Sequence, residues 1–115
     1  MLAAGLALPA LHASGAHAQG AAWPQRPVRI VVPFGLGGSA DVAARFLAEP
    51  LQAALGQPFV VENRPGAGAV IGTDHVAKSQ PDGYTLLLMS NTHTANETLL
   101  PNRPYRLMQD LAPVA

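Results

Sequence analysis

A chain of 115 residues is about one domain's worth, since domains usually run to roughly 100–200 residues. Seven Lys and Arg balance seven Asp and Glu, and only 12% of residues are charged. That argues against the basic patch of a nucleic-acid binder and the polybasic face of a membrane-surface protein, while the absence of cysteine removes a disulfide scaffold, a thiolate zinc site and a thiol nucleophile.

The chain opens on a short apolar run, residues 2–11, followed by Ala16-His17-Ala18 before Gln19. An apolar run closed by an A-x-A site reads as a secretory signal peptide over residues 1–18, although no Lys or Arg precedes Arg26. The run is too short for a membrane span, which needs about 20 residues. The signal-peptide reading implies export of the mature chain.

Val28-Arg29-Ile30-Val31-Val32 is a β-branched run ended by Pro33, and predicts a buried strand. Gly35 to Gly38 form a loop. Ser39 then stands where a helix N-cap belongs, and Asp41 falls in the first turn, where the helix dipole favours a carboxylate. Val42, Phe46, Leu47, Leu51 and Leu55 follow at helical spacing and predict the buried face of a helix that Gly56 stops. Pro50 inside it predicts a kink. Pro58 to Glu62 is a second strand, and Asn63 to Gly68 a rigid turn region. A second helix is predicted over about residues 69–78, with Val70, Ile71, Val76 and Ala77 buried. Pro81-Asp82-Gly83 is a turn, and Tyr84 to Met89 a third strand, nearly all apolar as a central parallel strand would be. Residues 90–96 read as a polar loop, with a short helix near Glu97–Leu100.

Strand–helix–strand–helix–strand is an α/β pattern. Right-handed crossovers make the sheet parallel, with helices flanking it. The first strand is expected between the second and third. Ligands of such sheets bind beyond the carboxyl ends of the strands. Three loops reach that edge, residues 34–39, 63–68 and 90–96, and all are rich in Gly, Ser, Thr or Asn.

In the first loop, glycines admit a ligand to the backbone and the helix start offers unpaired N–H groups, so an anion site and a plain capped βα turn are both open. The dinucleotide fingerprint G-x-G-x-x-G fails because position 40 is Ala, and the nucleophile elbow G-x-S-x-G fails because position 41 is Asp. A serine-dependent α/β hydrolase fragment survives as an alternative if Ser39 is activated by His93, which otherwise reads as a solvated loop side chain. Arg64 is either a carboxylate clamp or an ion-pair partner of Glu62 or Asp82. The four histidines show no metal-ligand spacing, and no cofactor is implied.

Trp23-Pro24-Gln25-Arg26-Pro27-Val28-Arg29-Ile30-Val31-Val32-Pro33-Phe34 resembles the opening of mature Bug-family receptors, the extracytoplasmic solute-binding proteins of tripartite tricarboxylate transporters. The resemblance continues through Gly37-Gly38-Ser39-x-Asp41, Leu55-Gly56-Gln57-Pro58, Val61 to Gly68, Ile71-Gly72, Val76-Ala77-Lys78, Pro81 to Leu87 and Asp110 to Val114. It implies the first lobe of a Venus-flytrap periplasmic-binding-protein fold. Residues 19–110 would form an incomplete N-terminal ligand-binding lobe, and 111–115 the start of a crossing to a second lobe. The implied activity is binding, not catalysis: capture of a small organic carboxylate for membrane transporter subunits, with no nucleic acid involved. The ligand-binding residues it implies by position are Gly37, Gly38, Ser39, Asp41, Ser90, Asn91, Thr92 and His93. Asp41 beside an anionic ligand would repel it unless a water, a cationic ligand group or a structural partner intervened. Family members are longer, so a truncated reading frame or a non-functional remnant is a further expectation.

Overall fold

The computed structural model describes residues 22–115. The signal-peptide reading of residues 1–18 lies outside them. In chain order the elements are β1 (Val28–Val32), α1 (Ser39–Leu55), β2 (Phe59–Asn63), α2 (Val70–Ala77), β3 (Thr85–Leu87), α3 (Asn91–Leu99) and α4 (Leu107–Asp110). The sheet is parallel with order β2-β1-β3, as the crossover rule predicts. Because the two crossovers run in opposite directions and both are right-handed, α1 and α2 cover opposite faces.

Strand β1 is the centre, and its β-branched side chains are buried on both faces. Val28, Ile30 and Val32 point to α1, where they pack with Ala44 and with Phe59 of β2. Register pairs Val32 with Asn63 and Val31 with Leu87. The three strands therefore end nearly level, and the chain leaves all of them at one edge. Arg64 N–H to Val32 O at 2.8 Å and Leu88 N–H to Val31 O at 2.9 Å extend the ladder to that edge. At the opposite end Trp23 packs edge-on against Phe59, and Arg26 lies over the Tyr84 ring while pairing with Asp82.

Several expectations change. Helix α1 does not bury the bulky stripe: Val42, Leu47 and Leu55 are exposed, and Phe46 is 78% exposed. Ala40, Ala44, Ala48 and Leu51 face the sheet instead. Small residues four apart let a helix backbone approach the bulky β-branched surface of the strands closely, and α1 is apolar far enough round its axis to offer two such faces. The helix runs unbroken through Pro50, on the exposed side, and ends at Gly56 in the left-handed region (φ 76°), as predicted. Strand β3 is shorter than expected and is an edge strand, half-buried throughout. In α2, Ile71 is exposed while Gly72 and Thr73 are buried. Segment 90–96 is not a loop; it is mostly the first turns of α3.

Candidate functional site

The first loop is built around Asp41 rather than Ser39. Gly38 takes the N-cap with extended backbone (φ −75°, ψ 167°), and its carbonyl accepts the first helical bond from Val42 N–H at 3.0 Å. Ser39 is the first helical residue and does not cap, contrary to the sequence expectation; its side chain is exposed. The carboxylate two residues on closes the turn instead. Gly37 N–H donates to Asp41 Oδ2 at 2.9 Å. Asn63 Nδ2 and Arg45 Nε donate to Asp41 Oδ1 at 3.0 and 3.1 Å. Asn63 also donates to Phe34 O at 3.2 Å and accepts from Arg45 Nη2 at 3.2 Å, which ties the first loop to the end of β2. Asp41 is 4% exposed. The Gly37 N–H, then Arg45 and Asn63, hold its carboxyl down from 3.8 to about 2, against an opposing effect of burial. The structural partner that an acidic residue here demands is therefore present. Gly37 (φ 78°) needs glycine's left-handed freedom, and its N–H is committed to Asp41; Gly38 does not need it.

At the third loop, Ser90 is the N-cap of α3. Its hydroxyl accepts from Thr92 N–H at 3.3 Å, and Ser90 N–H donates to His93 Nδ1 at 3.1 Å. This is a reciprocal capping box with His in the position usually held by Glu or Gln. His93 is 0% exposed, not a solvated loop residue. Its Nε2 lies 2.9 Å from Thr73 Oγ1 of α2, and its ring meets Phe34 of the first loop edge-on at 6.0 Å between centroids. Burial lowers the imidazole pKa below its ordinary 6.5, opposed by the backbone of Ser90. Both ring nitrogens are engaged, and neither on Ser39, so the pair that a serine hydrolase requires does not form.

The second loop is compact and left-handed: Gly66, Ala67, Gly68 and Ala69 all have positive φ. Asn96 Nδ2 of α3 donates to Gly68 O at 2.8 Å, and Thr73 Oγ1 donates to Ala69 O at 2.7 Å. Arg64 pairs with Glu62, the ion-pair alternative to a carboxylate clamp.

The structure thus gathers Gly37, Gly38, Ser39, Ser90, Asn91 and Thr92 at one edge, joined through Phe34 and His93, with Asp41 and His93 buried behind. Asn63, Thr73 and Asn96 also hold this edge and are not among the candidate site residues that the sequence nominates. Their signal in the sequence is a polar residue at the strand end (Asn63) or on the inward face of a helix (Thr73, Asn96). An open depression of about 320 Å³ between α1 and β2, lined by Arg45, Ala48, Glu49, Gln52, Phe59 and Val61, lies on the flank of the sheet and not among the three loops. Among the described residues no cluster of His, Asp and Glu could hold a metal ion.

Residues 43–115 match the tripartite tricarboxylate transporter family receptor profile. Protein BugT of Bordetella pertussis is 55% identical over 95 residues, covering 81% of this chain and 29% of BugT. Among solved structures, the periplasmic binding protein BugD is 55% identical with a TM-score of 0.55, over 56% of this chain and 22% of BugD. MatC from Rhodopseudomonas palustris, solved with bound malate, is 41% identical with a TM-score of 0.67, over 73% of this chain and 29% of MatC. The chain spans less than a third of the length of each.

Proposed function

The chain belongs to the tripartite tricarboxylate transporter receptor family, and from that premise we propose that it forms part of an extracytoplasmic lobe that binds a small organic carboxylate for a membrane transporter. Its place is the periplasm, as for BugD, with residues 1–18 as the export signal and residues 19–110 as the N-terminal lobe. The ligand carboxylate sits between the start of α1 and the start of α3. The groups that touch it are the Gly38 and Ser39 amides, the Ser39 hydroxyl, and the Asn91 and Thr92 edge.

One observation carries this reading. The carboxylate in the first turn of α1, Asp41, is engaged by Gly37, Arg45 and Asn63, while the Ser39 side chain makes no cap. The first helical turn then presents N–H groups with no carbonyl behind them and a hydroxyl, with the nearby negative charge neutralised.

The test is an amide chemical-shift titration of the chain with succinate, malate and adipate, a method that also detects weak binding. Shifts are expected at Gly38, Ser39, Asn91 and Thr92. Gly38→Val should abolish them with the fold intact, because Gly38 has ordinary extended backbone and a Cβ there meets only Gly35 O at 3.6 Å. Shifts confined to other surfaces, or unaltered by Gly38→Val, overturn the assignment of this edge.

A further inference from the structure

His93 sits where the three loops meet, and both of its ring nitrogens have hydrogen-bond partners. Nδ1 lies 3.1 Å from Ser90 N and 3.2 Å from Ser90 O; the capping box uses the first contact, with Nδ1 unprotonated and accepting from Ser90 N–H. In that tautomer Nε2 carries the proton and donates to Thr73 Oγ1 (2.9 Å), whose hydroxyl donates onward to Ala69 O (2.7 Å). The relay runs from the N-cap of α3, through the imidazole, to the left-handed turn before α2. Phe34 closes the remaining side of the ring from the first loop. Asn96, one turn further along α3, repeats the link to the second loop through Gly68 O (2.8 Å). Among the described residues, no acidic or basic side chain is a hydrogen-bond partner of the ring.

We propose that His93 is a positioning residue of the carboxylate site: it touches no ligand, and its neutral imidazole sets the spacing between the start of α3, the second loop and the first. This rests on the receptor reading above. Two features separate the role from plain core filling. An apolar side chain of the same size would fill the volume but leave Ser90 N–H and Thr73 Oγ1 without their partner, loosening both loops at once. Glutamine offers an acceptor and a donor at similar reach and is a normal capping-box residue, so it should substitute for the ring in function. A ring carrying its proton on Nδ1 would face the Ser90 carbonyl, 3.2 Å away, instead of its N–H, undoing the box.

The experiment uses the chain with His93→Leu and His93→Gln. Imidazole nitrogen NMR of the unaltered chain at neutral pH should show the Nε2–H tautomer; the Nδ1–H tautomer overturns the proposal. In His93→Leu, hydrogen exchange at Ser90, Thr92 and Thr73 should accelerate about tenfold or more, the scale of one lost buried hydrogen bond. The β1–β2 ladder amides should keep their protection, and His93→Gln should restore the slow rates. Unchanged exchange at the three amides, or equal acceleration in the ladder, overturns it. For whichever of succinate, malate and adipate binds most tightly, affinity should fall about tenfold in His93→Leu and less than about threefold in His93→Gln; equal affinity in all three proteins overturns it. If none of the three acids binds the unaltered chain, the receptor reading fails, and the tautomer and exchange results still decide what His93 positions.

Discussion

The carboxyl edge of the sheet and the outer face of α1 depart from the usual partition of residues in opposite directions. At the edge, Asp41, Thr73, His93 and Asn96 are polar and buried. On α1, Val42, Phe46 and Leu47 are large, apolar and exposed. Each buried polar group at the edge finds its partner on a different element: Asp41 on β2, His93 on α2, Asn96 on the second loop. Their hydrogen bonds have direction as well as energy, so they fix where the loops stand. The α1 residues bury little against the described residues, and their loss should leave the loops where they are. Polarity that is buried and paired specifies geometry here; apolar surface that is exposed sets only association behaviour.

The largest expected effect tests how tightly the edge is packed. A Cβ on Gly72 would lie 2.7 Å from Arg64 O and from Pro33 Cβ, groups that cannot rotate away. Gly72→Ala should therefore cost a net of about 2 kcal/mol: overpacking of about 3 kcal/mol less about 1 kcal/mol of helix propensity. Urea unfolding measures it, and a stabilised variant would mean that α2 does not cross this closely.

Acid should dissect the same network in two steps. The folded pKa of His93 lies below 6.5, so the stability due to its neutral ring is complete above that pH and declines as pH falls below it, when the unfolded chain takes up the proton first. Asp41 is held from 3.8 down to about 2. Its contribution is complete above about pH 4 and is lost as pH falls through about 2. Melting scans from pH 8 to pH 2 should show both declines. His93→Gln should remove the upper one and Asp41→Asn the lower; a profile unaltered by either substitution breaks the assignment.

A smaller effect probes the left-handed second loop. Ala67 (φ 48°) is exposed, and Ala69 (φ 75°) is buried. Ala67→Gly should stabilise by about 0.5–1 kcal/mol, since an alanine pays roughly 1–2 kcal/mol in this region and glycine's added unfolded-state freedom offsets part of the gain. Ala69→Gly also loses a buried methyl, worth about 0.8 kcal/mol, and should come out near neutral. The reverse ranking would show that the two turns differ from the geometry described.

The smallest effect belongs to the other side of the comparison. Phe46→Ser should change unfolding stability by no more than about 0.5 kcal/mol while reducing self-association seen by light scattering. A large loss of stability would show that the outer face of α1 is packed after all.

Much of this architecture was legible in the sequence. Runs of β-branched residues marked β1 and β2, Gly56 marked the end of α1, and alternating strands and helices with right-handed crossovers required a parallel sheet with β1 in the middle. The same logic brought three polar loops to one edge, and with them Ser39, Asp41, Ser90 and His93. Local pattern could not say which stripe of α1 faces the sheet, because both are apolar and the choice depends on the shape of the strand surface they meet. Nor could it say which of Ser39 and Asp41 closes the first turn. That was decided by Asn63 and Arg45, which stand 22 and 4 residues from Asp41 in the chain and hold its carboxylate in place. His93 follows the same logic: spacing identified a histidine in a polar segment, but its burial depends on Thr73 and Phe34 arriving from two other elements. Secondary structure here follows from neighbours along the chain. The protonation and partners of the site's polar groups follow from neighbours across it, and only the folded chain brings those together.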